Sequence, residues 1–370
     1  MLFSGRILRI ASILLITLCL LVAPAWSDEE VPKPRGEIRV VESWRPDINV
    51  LGHNVLQYLF EYALDRNELI PCLAVSREWI DGTTLELNLR KGVRFSNGEP
   101  FDAHAVKFNF DFQRQHNLGR GVQVYMRSVK EIRVVDSYTV RILLKQPDVL
   151  FLDRIILGPI AGWVIGAPSY MAKVGWEEFL KRPVGTGPYV VEGVVEDYRE
   201  VPQGKVYATL LANPDYWNRG YPKIGKIRFV RYTPKEALRA LIEGRVDLVT
   251  SLIPKDTLKV AESPYSKVVK GRQDVRWTSG LLNLISPHTL PLRSIRVREA
   301  LNYAVNKKEL MRHAFKGNAV DMRGVLTEKS GVDLSDTEPY DWNVPKAREL
   351  LKEAGYGEGL KMKLFYEERD

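Results

Sequence analysis

Charged and apolar residues alternate over residues 37–41 (EIRVV), which is the two-residue period of a half-buried strand. The period returns at 85–90 (LELNLR) behind an Asp81-Gly82 turn, and at 132–144, where two strand-like runs flank Asp136-Ser137. It recurs at 226–231 (KIRFVR), 245–249 (RVDLV) and 360–366 (LKMKLFY). Between these runs the period lengthens. A helix is predicted from Asp102, a good N-cap, through Ala103 to Gln115. Thr233-Pro234-Lys235-Glu236 is a capping box with proline in the first turn. Ala237, Leu238, Leu241 and Ile242 form its apolar stripe, and Gly244 stops it. Val297, Ala300, Leu301, Ala304 and Val305 repeat at helical spacing, Asn306 and Glu309 open a following helix, and 345–354 is a further one closed by Gly355. Strand, helix and strand in close succession predict an α/β fold with its sheet largely covered.

The N-terminus breaks this pattern. Arg6 and Arg9 precede Ile10 to Val22, which carries no charge, and Ala23-Pro24-Ala25 or Ala25-Trp26-Ser27 offers small-residue cleavage signals. That layout is a secretory signal peptide over residues 1–27, against the plainer reading of a buried N-terminal helix. The apolar run of 13 residues is too short to span a bilayer, which takes about 20. The mature chain is therefore expected to be exported, with a bacterial periplasm as its compartment. Removing 1–27 leaves 343 of the 370 residues and 52 Lys and Arg against 46 Asp and Glu. Cys19 leaves with the signal, and Leu18 before it is not the small residue that a lipid-attachment site takes. Cys72 is then alone, so the fold rests on a core and not on an intramolecular disulfide.

Signatures of catalysis are missing: no GxSxG, no HExxH, no GxxxxGK[ST] and no paired CxxC. Gly185-Thr186-Gly187-Pro188 lacks the lysine that would reach a phosphate and reads as a rigid turn. His53, His104, His116, His288 and His313 show no ligand spacing, so no metal site and no cofactor is expected. The basic stretch 267–276 contains Asp274 and reads as a solvated face, not a nucleic-acid site.

Several blocks, in order, resemble one family. They are 89–105 (LRKGVRFSNGEPFDAHA), 183–189 (PVGTGPY), 213–217 (NPDYW), 237–247 (ALRALIEGRVD), 295–310 (IRVREALNYAVNKKEL) and 340–356 (YDWNVPKARELLKEAGY). The chain resembles the extracytoplasmic solute-binding proteins of peptide and nickel ABC importers, family 5, from about Glu37 onwards. The resemblance implies an α/β, two-lobed periplasmic-binding-protein type II fold with an extra domain inserted in the first lobe. By that analogy 37–58 plus 182–276 form the first lobe, 59–181 the insertion and 277–370 the second lobe, expected to be incomplete. It also implies a non-enzymatic monomer that captures a short peptide or similar small organic solute and delivers it to membrane permease subunits.

Within the family, 95–103 and 297–308 look like the nickel-chelate branch, although 157–165 lacks that branch's arginine before Ala167-Pro168. Arg120 and Tyr125 loosely correspond to an arginine and an aromatic of that branch's cleft. Position in the family pattern and side-chain type single out Ser43, Trp44, His53 and Asn54 after the first strand, with Trp163, Trp277 and Asn283 at the hinge and cleft rim. Residues 277–284 (WTSGLLNL) would offer a strand edge to an extended peptide. A secreted hydrolase and a chaperone-like peptide-binding module are the competing readings.

Overall fold

The computed structural model describes residues 33–42, 54–63, 68–116, 127–148, 151, 164–250, 252, 254–269, 287–317, 319, 321 and 340–362. Two sheets organise most of them. The first is five-stranded, in the order β11-β1-β10-β9-β8, where β1 is Arg35–Val41, β8 Tyr189–Val191, β9 Val206–Ala212, β10 Ile224–Val230 and β11 Leu248–Val249. Strand β1 is parallel to both neighbours, pairing Val40 with Phe229 on one side and with Leu248 on the other. Strand β9 runs antiparallel to β10 and to β8. Val40, Tyr207, Leu210, Ile227 and Phe229 give this sheet a buried apolar face.

Helix α4 (Pro234–Ile242) carries the chain from β10 across β1 to β11. Its start is the predicted one, since the Glu236 amide donates to the Thr233 hydroxyl at 3.4 Å, and Gly244 takes φ +70° beyond its end. The buried stripe differs by one position: Ala237, Leu238 and Ala240 face the core while Ile242 is exposed. Strand β11 is shorter than its apolar pattern: only Leu248 and Val249 join the ladder, with Asp247 before them bonded to Arg39 through its carboxylate and its amide.

The second sheet is antiparallel, in the order β4-β5-β7-β6, with β4 Ala74–Asp81, β5 Thr84–Leu89, β6 Val129–Asp136 and β7 Thr139–Leu144. Leu85, Leu87 and Leu89 of β5 and Val140, Ile142 and Leu144 of β7 point into its core, while Glu86 and Arg141 pair outside at 2.8 Å. Helix α1 (Ala103–His116), capped by the Asp102 carboxylate on the Ala105 amide at 2.9 Å, lays Ala103, Val106 and Phe110 on that core. A short hairpin of β2 (Phe60–Ala63) and β3 (Glu68–Pro71) precedes it.

Three irregular segments join the two sheets. The Gly187 amide donates to the Val55 carbonyl and the Tyr189 amide to the Asn54 carbonyl, both at 2.9 Å, while Ile165 donates to Gln57 at 3.0 Å. Gly166 bridges Gly185, and its peptide is clasped on both sides by the buried Asn109 side chain at 2.8 and 2.9 Å. No side chain fits between these backbones. A Cβ on Gly185 would lie 2.0 Å from the Val55 carbonyl oxygen, and one on Gly187 would lie 2.5 Å from that of Asn54. Helices α2 (Pro168–Val174) and α3 (Trp176–Lys181) follow, and Met171 and Phe179 enter the core of the five-stranded sheet. Glu99, on the turn before α1, accepts the Ser169 amide at 3.0 Å and so caps α2 from a distant segment.

Towards the C-terminus, α5 (Pro254–Glu262), a 3₁₀ turn (Pro287–Arg293), α6 (Ile295–Ala304), α7 (Lys307–Ala314) and α8 (Val344–Glu353) follow in order. Helices α6 and α8 meet through Ala300, Ala347 and Leu350. The Glu309 amide donates to Asn306 at 3.1 Å as the sequence predicts, and Asn343 caps α8 in the same manner at 2.9 Å. Residues 360–362 are not a strand, and 363–366 lie outside the described residues.

Two expected outcomes follow from the joint. Gly187→Ala should destabilise the protein by about 3 kcal/mol in denaturant unfolding, because backbone must move. Gly92→Ala, whose φ of +77° faces open space, should cost only about 1 kcal/mol. Burial alone would raise the Glu99 carboxyl, but the Ser169 amide and the Asn97 side chain outweigh it and hold it below the ordinary value. Its contribution is therefore present above the unfolded-state value and disappears as pH falls through the lowered one. Melting curves of wild type and Glu99→Gln should separate at pH 7 and draw together as pH falls below the ordinary carboxylate range; a gap that widens in acid would refute this role.

Candidate ligand-binding edge

In a sheet with parallel strands, the chain reverses its direction of progress where a crossover jumps over a strand, and a crevice opens beyond the carboxyl ends there. The jump from β10 over β1 to β11 creates such a place. Val41, Val230 and Val249 end side by side at this edge. The chain leaving β1 (43–53), helix α4 and the connection into α5 all depart from it.

Polar bonds fix the edge. The Thr250 amide donates to the Val41 carbonyl at 3.0 Å, and the Thr250 hydroxyl donates to the Glu42 carboxylate at 2.8 Å. Behind it, Asp247 receives the Arg39 guanidinium through two nitrogens, at 2.9 and 3.0 Å, and the Arg39 amide at 2.7 Å. Those bonds hold the Asp247 carboxyl below the usual carboxylate range, against the opposing effect of burial. Beside α4, Arg245 donates to the Tyr232 hydroxyl at 2.7 Å.

Of the residues singled out from the sequence, Ser43, Trp44, His53, Arg120, Tyr125, Trp163, Trp277 and Asn283 lie outside the described residues. Asn54 is described and half-buried. Its carbonyl is the acceptor for Tyr189 at the start of β8, a strand end level with Glu37 and not with the end of β1. Among the described residues no three His, Cys, Asp or Glu side chains are grouped to hold a metal ion.

A second polar cluster, which the sequence did not reveal, sits in the joint between the sheets. Gln57 is 1% exposed and fully engaged. Its carbonyl oxygen accepts Trp217 Nε1 at 2.8 Å and the Thr186 hydroxyl at 3.1 Å, and its amide donates to the Tyr216 hydroxyl at 3.0 Å and approaches Cys72 Sγ at 3.4 Å. Arg90 stacks on Trp217, 4.2 Å from the ring centroid, while its Nε donates to the Cys72 carbonyl at 2.7 Å. Burial, reinforced by the Glu61 charge, pushes the Cys72 thiol well up, and burial does the same for the Tyr216 hydroxyl. Tyr58 nearby is pushed up to about 12, again chiefly by burial. A thiol kept protonated is a poor nucleophile. Every member of the cluster serves another, so its chemistry is cohesive.

The turn Gly185-Thr186-Gly187-Pro188 and the segment 213–217 are two halves of this device. Asn213 donates to the Gly187 carbonyl at 3.0 Å, and Tyr216 and Trp217 then reach Gln57. Three of the motif blocks that suggested the family, 89–105, 183–189 and 213–217, thus meet in space.

A model of the bacterial extracellular solute-binding proteins, family 5 (middle region), matches residues 68–368. The chain belongs to that family. A glutathione-binding protein GsiB of Salmonella paratyphi A is 32% identical over 290 residues, covering 77% of this chain and 52% of its own length. One from Escherichia coli O1:K1 is 30% identical over 288 residues, with the same coverage. The chain thus spans about half the length of these curated relatives. Among solved structures, the binding protein AgaA from A. tumefaciens R10 in complex with agropinic acid has a TM-score of 0.69 at 23% identity, covering 87% of this chain and 65% of that one. NikZ from Campylobacter jejuni in complex with Ni(L-His) has a TM-score of 0.69 at 20% identity, over 88% and 64%. DppA from Helicobacter pylori in complex with the peptide STSA has 0.66 at 24%, over 87% and 66%. The mixed α/β fold of this family 5 chain is that of two-lobed periplasmic binding proteins.

Gln57→Leu should destabilise the joint by about 2–4 kcal/mol, since it strands the Trp217 and Thr186 donors and the Tyr216 acceptor in a buried site. Chemical unfolding followed by tryptophan fluorescence measures this. A loss below about 0.5 kcal/mol would show that water or rearrangement satisfies those groups.

Proposed function

We propose that this chain captures a small solute for an ABC importer and holds it between two lobes that close by a hinge. The observation that carries the reading is the strand order β11-β1-β10, which makes the carboxyl ends of three parallel strands one edge in a chain of family 5. Ligand would stabilise the closed arrangement through contacts that only both lobes together supply. The leader over 1–27 would export the protein to the periplasm, and membrane permease subunits would receive the closed form. No chemical step belongs to this role.

The proposed division remains 37–58 plus 182–276 for the first lobe, 59–181 for the insertion and 277–370 for the second lobe. Packing of Met171 and Phe179 under the five-stranded sheet supports a rigid junction between insertion and first lobe. The ligand is a short peptide or a similar small organic solute. The names of the relatives support that breadth: glutathione for GsiB and a tetrapeptide for DppA. A nickel chelate is the second reading, favoured by the Ni(L-His) complex of NikZ. Ser43, Trp44 and His53 after the first strand are the proposed contacts, with Trp163, Trp277 and Asn283 at the hinge and cleft rim and Arg120 and Tyr125 for the chelate; Asn54, whose carbonyl serves the start of β8, stands apart from them.

Calorimetric titration of the chain from residue 28 with reduced glutathione, a tetrapeptide and Ni(II)-histidine, paired with X-ray scattering, tests the reading. One probe should bind and shrink the radius of gyration, and Trp44→Ala and Trp277→Ala should each weaken it about tenfold or more. Neither heat nor compaction with any probe would overturn the proposal. Preference for denatured protein over all three would favour a chaperone-like role.

A further inference from the structure

We draw no further inference here: the strongest candidate, the exposed apolar margin of Val75, Trp79 and Ile80 along β4 at the edge of the four-stranded antiparallel sheet, carries none because nothing in the structure shows what covers it.

Discussion

Two sheets of different construction can share one rigid body only where their backbones touch, and here they touch at Gly185 and Gly187. A β-carbon at either position would sit well inside contact distance of a carbonyl oxygen of residues 54–55. With that space empty, the amides of Gly187 and Tyr189 reach those carbonyls. The approach brings Thr186 to Gln57 and lets Trp217 and Tyr216 complete the cluster. Polar groups in such a place are costly when unmatched and specific when matched, so the joint admits one arrangement. Asn109 does the same for Gly166 from the helix side. The antiparallel sheet, its helix and the mixed sheet thereby become a single platform.

The edge proposed to carry ligand is built on other terms. The platform's core consists of fully buried Leu, Ile, Val and Phe side chains, whereas β11 is short, partly exposed and tethered by hydrogen bonds and one ion pair. Regions of low local stability are where binding proteins place their moving parts. A rigid sheet with a lightly held margin fits the proposed closure between two lobes. The chemistry fits binding as well. The one described cysteine is buried and held as a thiol, and the Arg39–Asp247 and Glu86–Arg141 ion pairs tie strands together.

Sequence and structure agree best where a local rule decides the outcome. Asp102, Thr233, Asn306 and the Asp81-Gly82 turn act within three or four residues, and each behaves as its neighbours require. Agreement weakens where a partner lies far along the chain. The alternation at 245–249 predicts five strand residues, but Asp247 answers to Arg39, 208 positions away, and only two join the ladder. Ile242 reads as part of an apolar stripe and is exposed, because Ala240 takes the core-facing place. Strands β8 and β9 have no strict alternation to announce them. They are strands because β10 and residues 54–55 offer them partners.

The sequence by itself determined the α/β class, the caps, the export signal as an expectation and, through six ordered blocks, the family. Those features are written in residue type and short spacing, which survive without knowledge of the fold. Only the tertiary structure decided what the blocks are for. The turn at 185–188 is a place where no side chain fits, 213–217 is its clasp, and Gln57, in a segment that no motif marks, is the residue they all hold. Backbone proximity and hydrogen-bond closure involve residues up to 160 positions apart. No local pattern encodes that distance, and only the packed chain brings such groups within 3 Å of one another.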